Sequence, residues 1–288
     1  MTEKKSSGLF RCLVYNGGVS LTLINGGVMC SDGIKLQGFA GEQAKIFGGA
    51  LLGTAFLGGL LKDKRGEVSV VLKTDGTLEN LTASVNAALS VRACMDCREA
   101  AAGTADSFYG TGGFLQVVRD DGYSRPFVGA CALCNNETGN AEEFFAANFE
   151  EYFTVSEQLP TRFAFYLGGG CDYFLAALQA LPGCGKNWEV SAKDKLAAVL
   201  NEYRGGKSAA ESAISVFGEI SCEEERDLRY RCNCSAEYLK SVLSTLGKDE
   251  LESILQEQGA VKIHCRYCNK DYAFTRTDLA DLLSRLGK

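Results

Sequence analysis

Apolar positions recur along this chain with two different periods, and the alternation between them outlines its elements. EVSVVLKTDGTLENL places Val68, Val70 and Leu72 on one face before Asp75-Gly76, which predicts a strand running into a tight turn. FLQVVRDDGYSRPFVGAC repeats the design around Asp121-Gly122, and two such hairpins predict antiparallel sheet. In EEFFAANFEEYFTVSEQLPTRFAFYL the period changes. Phe145, Phe149, Tyr152 and Phe153 fall at helical spacing, and Pro160 stops the helix before a further strand. GEQAKIFGGALLGTAFLGGLLK is apolar on nearly all sides. It is about as long as a membrane span, but its six glycines and Glu42, Lys45 and Lys62 favour a buried core helix. Residues 1–183 therefore read as an α+β core.

From 184 to 231 the pattern becomes helical and amphipathic. One stripe holds Leu196, Val199, Leu200 and Tyr203, and a second holds Ala210, Ala213, Ile214 and Phe217; Gly205-Gly206 separates them and the acidic run CEEERD follows. Short helices of this kind hold only through tertiary contacts. Residues 232–288 form a third segment. Ser235 caps a helix bearing Leu239, Val242, Leu243 and Leu246, which Gly247 ends; Asp249 with Glu252 reads as a capping box for a second helix ending at Gly259. Val261 and Ile263 form a strand in, Tyr272 and Phe274 a strand out, and Leu279, Leu282, Leu283 and Leu286 stripe a last helix. This segment has little core.

Composition narrows the functional classes. With 288 residues and 46% hydrophobic content, the chain is long enough for one large and one small unit. The opening MTEKKSSGLF lacks the order of a secretory signal, and no apolar run of about twenty residues stands out, so a soluble, non-exported protein is expected. A net charge of −6 is the wrong sign for a surface that neutralises phosphates. The single histidine, His264, argues against a hydrolase that needs a histidine base beside a separate nucleophile.

Cysteine changes the picture most. There are thirteen, an odd number in a chain without an export signal, which favours metal or redox use over a disulfide framework. Cys232 and Cys234 make a C-x-C and Cys265 and Cys268 a C-x-x-C, separated by two helices' worth of chain. Tetrahedral zinc takes four thiolates at about 2.3 Å, commonly from short loops of this kind. The alternative, buried thiols acting as small hydrophobes, fits poorly beside Asn233, Arg266, Asn269 and Lys270. His264 is a possible substitute ligand, although four thiols are already present. Structural zinc supplies roughly 10–16 kcal/mol of apparent binding free energy in small domains, against a stability of about 5–15 kcal/mol for a whole domain. Removing the ion is expected to unfold the segment, and thiolates are the form that oxidants attack.

The C-x-C, spacer, C-x-x-C pattern resembles the heat-shock protein 33 family of redox-regulated holdase chaperones. EEYFTVSEQLPTRFAFYLG, with its S-E-Q-L-P-T signature, VLKTDGTLENLTASVN and HCRYCNKDYAF are similar to family segments, so the likeness covers most of the chain. The resemblance implies a chaperone core over 1–183, a helical linker over 184–231 and a zinc-binding switch domain over 232–288. It implies Zn(2+) on Cys232, Cys234, Cys265 and Cys268, and a form that is inactive when reduced and metal-bound. It further implies Cys232–Cys234 and Cys265–Cys268 disulfides under oxidative stress, loss of the metal, unfolding of the C-terminal region and capture of unfolding client proteins without ATP. A cytoplasmic, non-enzymatic protein that dimerises when oxidised and takes neither nucleic acid nor membrane is expected.

Two further C-x-x-C pairs, Cys94/Cys97 and Cys131/Cys134, depart from that pattern. They read either as small core residues or as a second metal site or dithiol. Cys12, Cys30, Cys171, Cys184 and Cys222 are isolated and read as structural. Two other functions compete with the holdase: a permanently structural zinc ribbon that recognises nucleic acid or a protein partner, and a thiol oxidoreductase using Cys94 and Cys97.

Overall fold

A computed structural model describes the backbone of residues 6–98, 108–134 and 140–286. The chain forms two compact units, Met1–Arg231 and Cys232–Lys288.

The first unit contains two sheets. Strands β1 (Gly8–Val14), β2 (Val19–Asn25), β8 (Thr161–Gly169), β9 (Asp172–Ala180) and β10 (Ser221–Asp227) form one, in the order β10-β1-β2-β9-β8. Strands β3 (Glu67–Thr74), β4 (Leu78–Asn86), β5 (Ser90–Cys97), β6 (Gly113–Asp120), β7 (Phe127–Ala132) and β11 (Arg229–Tyr230) form the other, in the order β11-β5-β4-β3-β6-β7. The β3–β4 and β6–β7 hairpins turn where the Asp-Gly pairs predict. The pairings are antiparallel apart from β11, which runs parallel to β5.

Helix α1 (Gly27–Gln37) precedes the central helix, α2 (Gly41–Gly59), and both contribute to one cluster that takes side chains from both sheets. Val68, Val70, Leu72, Leu81, Val85, Leu115 and Val117 line it from one sheet, and Phe163, Phe165, Leu167 and Leu175 from the other. Burial from Ile46 to Gly59 explains why α2 shows no polar face. Its glycines let rings approach the backbone: a Cβ at Gly48 would lie 2.3 Å from Tyr173, and one at Gly53 2.3 Å from Phe149. Among the described residues no helix is long and apolar enough to cross a membrane.

Helix α3 (Ala141–Tyr152) is capped by Asn140, whose side chain accepts from the Glu142 N–H. It buries the expected Phe145, Phe149, Tyr152 and Phe153, then ends in a π-turn, Phe153–Glu157, with Gln158 in the left-handed region before Pro160. Helices α4 (Ala192–Arg204) and α5 (Ala209–Phe217) cover the opposite face of the first sheet, where Phe10, Leu21, Leu23 and Phe174 meet Trp188, Leu196, Val199 and Ala213. Of the predicted α5 stripe, Ala213 is buried and Ala210 and Phe217 pack half-buried against the same cluster, but Ile214 is 51% exposed, and Ala209 and Ser212 are buried instead. The acidic run is not helical either. It forms β10, an edge strand beside β1, and its charges discourage further strand addition.

The second unit contains α6 (Ala236–Ser244), α7 (Lys248–Glu257), the hairpin β12 (Val261–Cys265) and β13 (Lys270–Phe274), and α8 (Arg276–Leu286). Ser235 caps α6 as expected, accepting from the Tyr238 N–H. The expected Asp249–Glu252 capping box is absent: α7 starts two residues earlier, after Gly247 at φ 88°, with no side-chain cap. Leu243, Leu251, Phe274, Leu279 and Leu282 are the buried apolar side chains of its cluster. Val242 and Leu246 of the predicted α6 stripe are exposed. The Leu286 side chain lies outside what is described.

Candidate metal centre

The chain is secured up to the last residue before the cysteines. Tyr230 lies in β11, its hydroxyl donating to the Ala93 carbonyl at 3.1 Å, and the Arg231 N–H donates to the Val91 carbonyl at 2.9 Å. Cys232 and Cys234 follow at once, and the capping of α6 by Ser235 fixes the exit of this short loop. Cys265 ends β12. The Cys268 and Asn269 N–H groups both donate to the Cys265 carbonyl, at 3.2 and 2.8 Å, and Asn269 adopts φ 53°. Asparagine tolerates that left-handed conformation, so the sequence C-R-Y-C-N closes a knuckle with both sulfurs available.

The four sulfurs converge. All lie within 4.8 Å of one another, with Cys232 Sγ 3.7 Å from Cys265 Sγ and Cys234 Sγ 3.2 Å from Cys268 Sγ. Four ligands about 2.3 Å from a central zinc ion stand roughly 3.8 Å apart, so the cluster fits a single tetrahedral ion. His264 is not among them. Its Nδ1 lies 2.7 Å from Asp271 Oδ1 across the β12–β13 ladder.

Electrostatics make the same demand. Burial, together with the neighbouring sulfurs, pushes the Cys232 thiol up to about 11, and burial with contact to Cys234 pushes Cys268 well up. Cys234 moves the other way, to about 7, because hydrogen bonds from Tyr272 and the adjoining thiols outweigh its burial. Without a cation the cluster thus favours charge on one sulfur and protons on its neighbours. Four simultaneous thiolates at this spacing need a positive ion to offset their repulsion.

The other cysteines do not assemble comparably. Cys94 and Cys97 both lie on β5, whose own residues follow without interruption along β4, the irregularity between Leu78 and Asn80 falling on the β4 side. Successive strand residues face opposite sides, so positions three apart point away from each other. Cys97 packs beside the central core, whereas Cys94 is buried on the other face. This geometry opposes an oxidoreductase dithiol. Cys131 Sγ and Cys134 Sγ lie 4.0 and 3.9 Å from the Asn148 and Ala147 carbonyls of α3. Burial raises both thiols, Cys131 to about 11. Cys12 and Cys30 are buried in the two clusters of the first unit, Cys184 is half-buried, and Cys171 and Cys222 are exposed. Tyr272, read from the sequence only as a strand residue, places its hydroxyl 3.1 Å from Cys234 Sγ. An aromatic residue four positions after a C-x-x-C does not itself signal such a contact.

Fold and site define a class: a layered α+β core followed by a small unit built around a four-cysteine knuckle. The chain belongs to the Hsp33 protein family, whose model matches residues 7–275. It is 35% identical over 187 residues to the 33 kDa chaperonin of Bacillus cereus strain G9842, and 34% identical to that of Bacillus anthracis strain CDC 684 over the same length. In both cases the match covers 62% of this chain and 62% of the relative, so the chain spans less than two thirds of the curated relatives it matches. The crystal structure of a 33 kDa chaperonin from Thermotoga maritima, described as a heat shock protein 33 homolog, shares the fold with a TM-score of 0.74. That likeness covers 97% of this chain and 98% of the other at 21% identity.

Proposed function

We propose that this chain is a cytoplasmic, ATP-independent holdase chaperone, inactive when reduced and zinc-bound and activated by oxidation. The observation that carries the reading is the convergence of Cys232, Cys234, Cys265 and Cys268 on one point in a unit with few buried side chains. Bound there, zinc supplies a cross-link joining the α6 entrance to the β12–β13 hairpin. Oxidation by a peroxide removes that cross-link. Each pair of thiolates gives up two electrons as its S–S bond forms, and one peroxide accepts them together with two protons from solvent to leave as two waters. The pairs are Cys232–Cys234 and Cys265–Cys268. Residues 232–288 then lack support and unfold, because their apolar cluster is small.

Residues 184–231 act as the linker in this reading. The face of the first sheet beneath α4 and α5 carries Phe10, Leu21, Leu23 and Phe174, an apolar surface that captures unfolding client proteins once the helices loosen. The oxidised chain works as a homodimer. Its net charge of −6 supports protein clients over nucleic acid, and no membrane partner is invoked. In the deciding experiment, reduced protein binds one zinc and does not suppress aggregation of a heat-unfolding client, whereas peroxide with mild heat releases the zinc and produces suppression. A zinc-free reduced protein that keeps its tail folded overturns the reading. An oxidant-insensitive far-UV signal with salt-dependent nucleic-acid binding replaces it with a permanent zinc ribbon.

A further inference from the structure

The donors around the four sulfurs are of two kinds. Cys232 Sγ receives the Cys234 backbone N–H, and Cys268 Sγ receives the Lys270 backbone N–H. Both contacts belong to the main chain. Cys234 Sγ is approached instead by a side-chain hydroxyl, that of Tyr272, at 3.1 Å. Tyr272 sits opposite Ile263 in the β12–β13 ladder and packs against the small cluster of the unit, so its ring is held by the hairpin that delivers Cys265 and Cys268. The same hydroxyl lies 3.3 Å from the Cys234 carbonyl oxygen. It has one proton for two acceptors. A thiolate is the stronger acceptor and takes the proton, whereas the carbonyl is the acceptor left when the sulfur is oxidised.

We propose that Tyr272 is a positioning residue of the four-thiolate site, whose hydroxyl donates to Cys234 Sγ, holds that sulfur toward the other three and slows its oxidation. The inference rests on the reading of this cluster as a metal-dependent redox site. Reaction with hydrogen peroxide begins when a sulfur lone pair forms an S–O bond as the O–O bond breaks, giving a sulfenic acid and, after protonation of the leaving hydroxide, water. A second thiol then forms the S–S bond and expels another water. Density drawn into a hydrogen bond is less available for the first attack. Outer contacts that orient metal ligands also contribute to affinity, with losses of about 10–100-fold on their removal. Tyr272 therefore restrains both metal loss and oxidation at Cys234, through a side chain that substitution can remove.

The test uses the full-length protein with Tyr272→Phe, which keeps the ring and removes the hydroxyl. With cobalt(II) as probe, the sulfur-to-cobalt charge-transfer bands are expected to move to lower energy, a signature that packing alone does not produce. Zinc affinity measured against a competing chelator is expected to fall about tenfold. Peroxide-driven zinc release becomes several-fold faster, with Cys234 the first thiol modified by mass spectrometry. Unchanged bands and an unchanged release rate overturn the proposal while leaving the proposed function intact. Failure of the wild-type protein to bind stoichiometric cobalt or zinc overturns the proposed function instead. Should the variant not fold, wild-type protein carrying 3-fluorotyrosine, a more acidic donor, supplies the reading: bands at higher energy and slower release support the proposal, and no change in either rejects it.

Discussion

The two units of this chain are stabilised by different means. In residues 1–231, α2 is buried over most of its length between two sheets, and a second cluster fills the space beneath α4 and α5. In residues 232–288 three short helices and one hairpin share a cluster of five buried apolar side chains among the described residues. Hydrophobic burial at about 25 cal/mol per Å² sustains the first kind of unit. It does not sustain the second against the conformational entropy of the ordered chain, about 1–2 kcal/mol per residue for the backbone alone. On the proposed function, a metal on the convergent cysteines supplies what the small cluster lacks. A unit stabilised in this way is expected to lose its order when its thiols change state, whereas a neighbour built on packing is not.

The contrast is broken or sharpened by substitution, beginning with the largest effect. Cys268→Ala is expected to abolish stoichiometric zinc binding and remove the helical signal of α6–α8, a loss on the scale of the roughly 10–16 kcal/mol that structural zinc supplies. The thermal transition of the first unit should persist, and calorimetry separates the two. Leu51→Ala, in the central helix, should cost about 2–5 kcal/mol, seen as a lower denaturation midpoint with zinc affinity unchanged. Leu279→Ala, in the small cluster, should do the reverse. Because binding and folding of that unit are coupled, its cost of about 2–5 kcal/mol appears chiefly as weaker zinc binding in chelator competition.

Smaller effects follow the same division. A Cβ at Gly53 would meet the Phe149 ring at 2.3 Å, so Gly53→Ala should destabilise the first unit by about 1–3 kcal/mol through overpacking, despite alanine's better helix propensity. Chemical denaturation followed by fluorescence of the single tryptophan, Trp188, checks it. Ser235→Ala removes the α6 cap beside the metal loop. The expected loss of about 1 kcal/mol corresponds to roughly fivefold weaker zinc binding.

The sequence exposes these elements unevenly, for physical reasons. Alternation revealed β3 because one of its faces is buried, and an apolar run revealed α2 because almost every side is buried. The β10 strand was illegible because its residues are exposed on both faces apart from the half-buried Arg226, which leaves no period to detect. On α5 the spacing correctly places Ala213, Ala210 and Phe217 against the cluster, but Ala209 and Ser212 are buried where Ile214 was expected. The start of α7 was misplaced because the left-handed Gly247, not a side-chain cap, begins it. Cysteine spacing disclosed the four-sulfur cluster, since a site for a tetrahedral ion constrains positions that are close in sequence. Tyr272 reaches Cys234 from 38 positions away, through a strand pairing that spacing does not encode.

The central claim is that the four sulfurs and their ion hold residues 232–288 in order independently of the packed core. Hydrogen exchange followed by mass spectrometry tests it most directly, on the reduced full-length protein before and after zinc is removed with a chelator. The expected result is loss of amide protection across α6, α7, α8 and the β12–β13 hairpin, with protection retained in β3, β4 and α2. Persistent protection of the C-terminal peptides in reduced, zinc-free protein contradicts the account.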